Sequence, residues 1–269
     1  MKKRKIRVGL LFGGKSAEHE VSLQSARNVA DAINKDKYEV TLIGISKTGQ
    51  WLSSASPNFL LNPQDPKRIA LSEADSKSVA LVPQSDGALS FLGGVGDVSK
   101  VDVVFPILHG PLGEDGTVQG LLKLANVPFV GAGVLGSAVG MDKEVTKRLL
   151  RDSGLPIAKF LVLRSGERLS YEKALKELGV PFFVKPANMG SSVGVSKVAT
   201  PAQFKKAVAS AFKYDHKILL EEYIRGREIE CAVLGNDKPI VSVPGEIVLK
   251  SEFYSYESKY LDPEASSTE

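Results

Sequence analysis

The chain has 269 residues, 43% of them hydrophobic and 25% charged, which are ordinary values for a folded protein with a core large enough for two domains. The formal net charge is only +4, and the densest basic cluster, Lys2–Lys5, leads directly into a predicted strand, so we expect no nucleic-acid partner. A single cysteine, Cys231, excludes a disulfide framework within the chain, and the lack of a signal-peptide pattern or a long apolar run predicts a cytoplasmic protein without a membrane segment.

The chain opens with a predicted β-α-β unit. Residues 6–12 form an apolar run of strand length, and residues 39–45 form a second one. Between them, apolar residues recur at helical spacing from 23 to 33, and Ser22 is positioned to cap that helix. A β-α-β unit predicts a parallel sheet covered by helices, so we expect a Rossmann-like α/β fold in the N-terminal part.

The region that follows is less regular. We expect hairpins and loops at 46–100, where serine, aspartate, proline and glycine are frequent. The continuous apolar run at 101–108 is typical of a buried parallel strand, and a helix is predicted near 117–125. The small residues at 131–136 indicate a domain boundary.

The second half alternates short strands with helices but contains hairpins, which predicts a small α+β unit. Asp142 and Thr200 are expected to cap the helices that begin after them. Cys231 is expected to be buried in a strand. The predicted elements are helices at 142–153, 170–178 and from 200 onward, strands at 157–163, 217–222, 228–234 and 239–243, a strand pair around 182–198, and a hairpin turn at 235–237.

The stretch 181–198, PFFVKPANMGSSVGVSKV, has the parts of a phosphate cover. A strand ends at Lys185, a Gly-Ser-Ser-Val-Gly loop follows, and an apolar run begins at Val193. Such a loop exposes backbone N–H groups and serine hydroxyls, and a lysine that emerges from a buried strand needs a partner such as a phosphate. A P-loop differs because its glycines lead into a helix. This pattern predicts a nucleotide triphosphate held between strands.

A second motif, residues 109–116 (HGPLGEDG), follows the strand at 101–108. Ligands of open α/β sheets bind beyond the carboxyl ends of the strands, and the helix that follows would offer N–H groups to an anion. Alternatively, the glycines only shape a turn and His109 is an ordinary polar residue. The crowding of His109, Glu114 and Asp115 at a strand end favours a functional site.

A third motif, residues 13–20 (GGKSAEHE), follows the first strand. It lacks the G-x-G-x-x-G pattern of a dinucleotide site, which argues against NAD binding. Glu18, His19 and Glu20 suggest recognition of a small cationic group such as an amine. Acids in the first turn of a helix are equally well explained by the helix dipole, and the segment alone does not separate the two interpretations.

The roles of two further groups of charged residues stay open at this point. Lys143 lies in a predicted first helical turn, where a lysine is usually solvated. Glu221 and Glu222 end a predicted strand, and Glu228 follows soon after. These carboxylates could accept hydrogen bonds from an adenine amino group and from ribose hydroxyls, but an edge strand with charged ends would explain them too.

Taken together, these segments resemble the D-alanine–D-alanine ligases, ATP-grasp enzymes of peptidoglycan synthesis, along the whole chain and in consistent order. The two most specific strings are HGPLGEDGTVQG (109–120) and VKPANMGSSVGVSKV (184–198). The other matching segments are GGKSAEHEVS (13–22), MDKEVTKRLL (141–150), EEYIRGREIECAVLG (221–235) and YSYESKY (254–260). The resemblance implies an N-terminal pre-ATP-grasp domain at 1–131, a central ATP-grasp lobe at 132–221 and the start of a C-terminal lobe at 222–269.

The resemblance also implies a reaction and its site residues. ATP phosphorylates the carboxylate of one D-alanine, and the amine of a second D-alanine attacks the acylphosphate to form a dipeptide. By resemblance, Glu18 receives the ammonium of the first D-alanine and His109 lies near its carboxylate, while Ser191 and Tyr260 are linked with Glu18 by hydrogen bonds. The implied ATP-binding residues are Lys143, Lys185, Ser192, Glu221, Glu222, Tyr223, Ile224, Glu228, Phe253 and Lys259.

The chain departs from the family pattern near its end. Family members continue well beyond the segment near Phe253, and their Mg²⁺-binding acids and asparagine, with a reactive-centre arginine, lie in that continuation. We therefore expect a truncated ATP-grasp region, no metal ligand up to Glu269 and little ligase activity from this chain alone.

The resemblance leaves the second substrate and the assembly as expectations. Tyr260 favours an amine over a hydroxy acid as second substrate, and the family suggests a homodimer. Two alternatives to the D-alanine ligase stay open. One is another ATP-grasp carboxylate–amine ligase, and the other is a fragment that binds nucleotide without chemistry.

Overall fold

The structure is a computed structural model that describes residues 4–54, 56, 59–65, 68–74, 76–92, 97–249 and 266–268. The chain divides into two compact units, Met1–Leu149 and Leu150–Glu269. The three-part division of the sequence stays a prediction. None of the helices in the described ranges is long and apolar enough to cross a membrane.

The first unit combines one large sheet with helices. Its strands are β1 (Ile6–Gly13), β2 (Tyr38–Ile45), β3 (Trp51–Ser53), β4 (Leu60–Leu61), β5 (Ala70–Leu71), β6 (Lys77–Leu81), β7 (Ala88–Phe91), β8 (Asp97–Lys100) and β9 (Val103–Leu108). Its helices are α1 (His19–Ala32), α2 (Thr117–Leu124) and α3 (Val134–Met141), and α4 (Lys143–Asp152) leads into the second unit.

The large sheet has seven strands in the order β8-β7-β6-β3-β2-β1-β9. β1 lies between β2 and β9 and is parallel to both, which confirms the predicted β-α-β unit. Within the region 46–100, β3, β6, β7 and β8 extend this same sheet through antiparallel pairs, whereas β4 and β5 form a separate hairpin with each other. Gly13 pairs with Ile45 on one side and with Leu108 on the other, so the carboxyl ends of the three parallel strands meet at one edge.

Apolar side chains cover both faces of this sheet. Leu11 packs in one core cluster with Leu122 of α2, and Phe12 packs in another with Leu23 of α1. All four side chains are fully buried. Successive side chains of a strand point to opposite faces, so burial on both sides explains why β1 is apolar without alternation.

The predicted capping role of Ser22 is wrong. Helix α1 begins at His19 with Glu18 as its N-cap, so Ser22 lies inside the helix. Its hydroxyl accepts a hydrogen bond from the N–H of Gly13 at 2.8 Å and donates one to the carbonyl of Ile107. Ser22 therefore ties together the ends of β1 and β9, a long-range role that a local capping pattern does not distinguish.

The second unit consists of short strands and helices, and four of the strands form one antiparallel sheet. Its strands are β10 (Phe160–Arg164), β11 (Phe182–Pro186), β12 (Ser196–Val198), β13 (Lys217–Glu222), β14 (Glu228–Glu230), β15 (Val233–Leu234), β16 (Ile240–Val241), β17 (Gly245–Leu249) and β18 (Ser266–Thr268), and its helices are α5 (Tyr171–Leu178) and α6 (Pro201–Ala211). The sheet order is β10-β13-β11-β12. Phe182 of β11 and Phe204 of α6 meet in its core, with ring centroids 6.1 Å apart.

Both caps predicted in the second half of the sequence are confirmed. Asp142 Oδ1 accepts hydrogen bonds from the N–H groups of Glu144 (3.0 Å) and Val145 (3.1 Å) at the start of α4. Thr200 and Gln203 form a reciprocal capping box at the start of α6. These bonds satisfy N–H groups that the first turn of a helix leaves without intrahelical partners.

The expectation of a buried Cys231 is wrong, because this cysteine is exposed. The single strand expected at 228–234 is two short strands: β14 pairs with β17, whereas β15 pairs with β16. Since the two halves have different partners, the apolar alternation does not continue through Cys231. The β15–β16 pair confirms the hairpin predicted around residues 235–237.

Candidate functional site

Glu18 lies at the start of α1, directly after the turn that follows β1. The residue is only 4% exposed, and its N–H donates to the Ser16 hydroxyl at 3.0 Å. A Cβ atom added at Gly110 would lie 2.8 Å from Glu18 Oε2 and 2.9 Å from Ser16 Oγ, so the glycine leaves room for the carboxylate beside the turn after β9. Burial distinguishes Glu18 from a solvated acid in the first turn of a helix, and its amine-binding role stays a prediction.

The two neighbours of Glu18 in the motif have different surroundings. Glu20 forms an ion pair with Lys47. Burial raises the pKa of Glu20, but the hydrogen bond from Lys47, a backbone hydrogen bond and the charges of Lys47 and His19 together lower it overall. His19 is buried, with Nδ1 2.9 Å from the carbonyl oxygen of Gly14. Of the three residues proposed for a cationic ligand, Glu20 already has a lysine partner.

The acids of the 109–116 motif hold the backbone of their own turn. Glu114 Oε2 accepts a hydrogen bond from the N–H of Gly110 at 2.6 Å, and the Asp115 carboxylate accepts from the N–H groups of Leu112 (2.8 Å) and Thr117 (3.0 Å). Burial raises the pKa of Asp115, but these hydrogen bonds outweigh it, so the pKa is lowered overall. In the sequence, the crowding of Glu114 and Asp115 near His109 favours a functional site. The hydrogen bonds that these two acids accept from the turn backbone explain part of that crowding.

His109 is half-buried at the end of β9, and its Nε2 lies 3.2 Å from Ser25 Oγ of α1. Neither Ser16 nor Ser25 was found by sequence reasoning. Ser25 had a usable signal, because its spacing of three residues from Ser22 puts both on the face of α1 that meets the sheet edge. For Ser16 the signal was its position two residues before Glu18, which suits a hydroxyl-to-backbone hydrogen bond.

The first unit also has a cavity of about 210 Å³ at the carboxyl ends of β1, β2 and β9. Its lining includes Ser16 and His109 with apolar walls from Trp51, Leu112 and Leu121. Glu18 is not among the lining residues. The cavity therefore adjoins two neighbours of the candidate amino-acid site but is not itself the ammonium pocket that the sequence motif indicates.

In the second unit, Lys185 of β11 forms an ion pair with Glu221 of β13. Lys185 pairs with Leu219 across the sheet, so Glu221 is its diagonal neighbour two residues further along β13. Glu221 is 8% exposed and Lys185 is half-buried. The sequence argument that an emerging lysine needs a partner is correct, but the partner in this structure is a carboxylate. The two residues expected to contact phosphate and adenine are thus brought together.

The glycine–serine loop, defined as residues 187–195, connects β11 to β12. The N–H of Val193 donates to the carbonyl of Gly190 at 3.0 Å. Ser191 and Ser192 between them have φ values of +48° and +61°, the φ signs of a type I′ turn. Non-glycine residues rarely adopt this conformation, so the loop has a defined and strained backbone at the two serines proposed for ligand contact.

The remaining predicted ATP residues in the second unit lie at or beyond the end of β13. Glu222 accepts a hydrogen bond from the N–H of Lys159 at 2.7 Å, which ties it to the sheet edge. The Tyr223 ring lies 6.0 Å from that of Phe183. Ile224 is exposed, and Glu228 begins β14. The edge-strand explanation is wrong for these acids, because β13 lies between β10 and β11 in the sheet. Glu222 binds the backbone that leads into β10, and Glu221 is buried and paired with Lys185.

Three predicted site residues, Phe253, Lys259 and Tyr260, lie outside the described residues. Lys143, in the first unit, is the first residue of α4. Within the described ranges, no three His, Cys, Asp or Glu side chains are grouped closely enough to hold a metal ion. We therefore assign no metal ligand.

Comparison with known proteins identifies the family. The family model described as D-ala D-ala ligase N-terminus matches residues 7–132, and that described as D-ala D-ala ligase C-terminus matches residues 149–269. D-alanine–D-alanine ligase A of Chromobacterium violaceum is 56% identical over 97% of this chain and 72% of its own length, and that of Escherichia coli K12 is 55% identical with the same coverage.

Solved structures agree with the sequence matches. The D-alanine–D-alanine ligase from Coxiella burnetii superposes with a TM-score of 0.79 at 39% identity, covering 90% of this chain and 71% of that one. The VanG D-Ala:D-Ser ligase from Enterococcus faecalis has the same TM-score at 34% identity, covering 99% and 76%. Fold and sequence together define an ATP-grasp protein. More narrowly, the chain belongs to the D-alanine–D-alanine ligase family.

Proposed function

We propose that the protein is an ATP-dependent D-alanine–D-alanine ligase that makes a dipeptide for peptidoglycan synthesis. The observation that carries this proposal is the 56% identity to a ligase of that name over 97% of the chain. The local geometry supports it, because the first unit contains a buried carboxylate, Glu18, and the second contains a lysine, Lys185, near the end of the strand that leads into the glycine–serine loop.

In the first step, a carboxylate oxygen of one D-alanine attacks the γ-phosphorus of ATP, the bond to the β-phosphate oxygen breaks, and ADP leaves. We assign Glu18 to the ammonium group of this D-alanine, because hydrogen bonds between ionised groups are the strong ones. His109 is assigned to its carboxylate, with the ring held by the contact to Ser25. Ser191 and Tyr260 join this group by resemblance.

In the second step, the amine nitrogen of another D-alanine attacks the carbonyl carbon, the carbon–oxygen bond to phosphate breaks, and the amine loses a proton. Catalysis of phosphoryl transfer is mostly positioning and charge neutralisation. We assign Lys143, Lys185 and Lys259 to the phosphates and Ser192 with its loop to their cover. Covering the site also protects the acylphosphate from water.

Adenine and ribose are assigned to the residues at the end of β13 and beyond it. The Lys185–Glu221 ion pair supports a specific exchange of hydrogen-bond partners when ATP binds. A phosphate oxygen would replace Glu221 as the partner of Lys185, and the adenine amino group would replace Lys185 as the partner of Glu221. The proposed set is Glu221, Glu222, Tyr223, Ile224, Glu228 and Phe253.

Three further features are proposed from the family. Mg²⁺, when bound, would neutralise phosphate charge. Among the described residues no group of His, Cys, Asp or Glu side chains could hold it, and neither step above is assigned to a metal ligand. A cytoplasmic location and a homodimer complete the proposal.

A second candidate differs in its second substrate. The match to a D-Ala:D-Ser ligase structure over 99% of this chain, with a TM-score of 0.79, supports a ligase that accepts D-serine as the attacking amine. Both candidates share the D-alanyl phosphate step. They differ only in which amine consumes it, so product analysis distinguishes them.

A substrate panel tests the proposal in the full-length protein. ATP and D-alanine are supplied alone or with D-serine, D-lactate or L-alanine, and products are identified by mass spectrometry. We expect D-alanyl-D-alanine as the main product. A main product of D-alanyl-D-serine would support the second candidate, and no condensation product from any pair would contradict both.

The phosphate assignment has its own test, Lys185→Ala. Removing the cation that faces the phosphates is expected to raise the dissociation constant for ATP about tenfold or more, since charge-assisted hydrogen bonds contribute about 1.5–3 kcal/mol each. The matched control is Lys205→Ala, which removes an exposed lysine of α6 in the same unit. Unchanged ATP affinity in a folded Lys185→Ala protein would refute the assignment.

A further inference from the structure

We infer that the turn between α6 and β13, residues Tyr214 and Asp215, is a clamp that positions the glycine–serine loop for nucleotide binding. The structural part of this inference stands on contacts alone. Its consequence for ATP affinity rests on the proposed function. Neither residue belongs to the motifs that carry the family resemblance.

Asp215 fixes the start of the loop. Its carboxylate is 5% exposed. Oδ2 accepts two hydrogen bonds from Asn188, one from the backbone N–H at 2.8 Å and one from the side-chain amide at 2.9 Å. Oδ1 accepts from the N–H of Lys217 at 3.1 Å and lies 3.2 Å from His216 Nδ1. One carboxylate therefore joins the first residues of the loop to the first residue of β13.

Tyr214 fixes the other end of the loop. A Cβ atom added at Gly194 would lie 2.8 Å from Tyr214 Cδ2 and 2.8 Å from Pro186 Cγ. The Gly194 backbone is thus packed closely between the last residue of β11 and the tyrosine ring. Its φ of +71° adds a second reason for glycine at this position. Two adjacent residues of one turn therefore hold both ends of the loop.

The loop needs such support because its centre is strained. Ser191 and Ser192 both have left-handed backbone conformations, which persist only where surrounding structure determines them. Between the two held ends, the N–H groups and hydroxyls of the loop are kept in one arrangement. A nucleotide then binds without ordering the loop first.

This arrangement makes Asp215 a positioning residue, which acts on the phosphates through the loop. If only a fraction of molecules has the competent loop, the apparent dissociation constant for ATP rises by the inverse of that fraction. A fall of the competent fraction to a tenth raises the constant about tenfold. D-alanine binding is expected to weaken in the same direction, because Ser191 of this loop is assigned to the D-alanine group by resemblance.

The test compares Asp215→Ala, Asp215→Asn and a control, Asp152→Ala, which removes an exposed aspartate at the end of α4. Hydrogen exchange of the loop amides is measured without nucleotide, and the KM values for ATP and D-alanine are measured in the full-length protein. Asp215→Ala is expected to speed loop exchange and to raise the KM for ATP about tenfold. The KM for D-alanine is expected to rise as well, through Ser191 of the same loop. Asp215→Asn keeps one oxygen for both Asn188 donors, so it should recover most of the ATP affinity.

The outcomes separate this inference from the proposed function. Wild-type loop exchange and wild-type KM for ATP in Asp215→Ala would overturn the clamp. A protein without ATP binding would contradict the proposed function, while faster loop exchange in the variant would still support the clamp. If Asp215→Ala fails to fold, Asn188→Ala provides a milder test, because it removes only the side-chain donor. It should change loop exchange and the KM for ATP in the same direction but by less. Wild-type values of both in Asn188→Ala would contradict the clamp.

Discussion

The contact between Gly110 and the Glu18 carboxylate gives the sharpest prediction for the amino-acid site. In Gly110→Ala, the new methyl carbon would lie 2.8 Å from Glu18 Oε2 and 2.9 Å from Ser16 Oγ. Both distances are too short for a carbon atom, so the Glu18 carboxylate must move. Because Glu18 is assigned to the ammonium of the first D-alanine, its displacement should weaken binding of that substrate.

Two separate costs can be worked out for Gly110→Ala. The backbone has a φ of +77°, and alanine in a left-handed conformation costs about 1–2 kcal/mol of folding stability. Loss of a hydrogen bond to a charged group costs about 1.5–3 kcal/mol of binding, roughly a 10- to 150-fold rise in the KM for the first D-alanine. Gly154→Ala isolates the first cost, because Gly154 has a φ of +76° and nothing within 4 Å of the added carbon.

The assay measures thermal unfolding and the KM values for ATP and D-alanine in both variants of the full-length protein. We expect both variants to lose similar stability, but only Gly110→Ala to raise the KM for D-alanine, with the KM for ATP unchanged in each. The reasoning is refuted if Gly110→Ala has a wild-type KM for D-alanine. An equal rise in Gly154→Ala would also refute it, because the effect would then come from the backbone alone.

Three further predictions concern stability. Ser22→Ala leaves the buried N–H of Gly13 without its hydroxyl partner and should cost about 1–3 kcal/mol in urea unfolding, and a cost near zero would contradict the tie between β1 and β9. Thr200→Ala removes the N-cap of α6 and should cost about 1 kcal/mol, with Thr200→Ser expected to retain most of the stability. Hydrogen bonds from Arg7 hold the pKa of Asp102 well below its usual range. The ionised carboxylate therefore stabilises the fold at pH values above the ordinary aspartate pKa, and this stabilisation is lost as the pH falls towards the folded-state pKa. The stability difference between wild type and Asp102→Asn should therefore narrow below about pH 4, and a constant difference from pH 7 to pH 3 would contradict this.

Local signals in the sequence predicted the elements well where neighbouring residues decide the structure. Asp142 and Thr200 cap their helices because the N–H groups they bind lie only a few residues away. The β-α-β opening followed from apolar periodicity, which burial on both faces of the sheet enforces. Ser22 shows the limit of this reasoning, because its hydroxyl bonds to Gly13 and to Ile107, which is distant in sequence.

The site was predictable as a set of motifs but not as a set of contacts. The motifs named Lys185 and Glu221 separately, and only the pairing of β11 with β13 makes them diagonal neighbours. Asp215 was missed because its partner Asn188 precedes it by a whole strand and helix. Cys231 was misjudged because alternation does not reveal that β14 and β15 pair with different strands.

Transfer of an oxygen atom from substrate to phosphate tests the proposed reaction most directly. D-Alanine labelled with ¹⁸O at both carboxylate oxygens is given with ATP to the full-length protein, and the dipeptide and phosphate are analysed by mass spectrometry. Attack of the carboxylate on the γ-phosphorus predicts one ¹⁸O atom in the phosphate for each D-alanyl-D-alanine formed. Unlabelled phosphate, or ATP consumption without dipeptide, would contradict a D-alanyl phosphate route and with it the proposed ligase function.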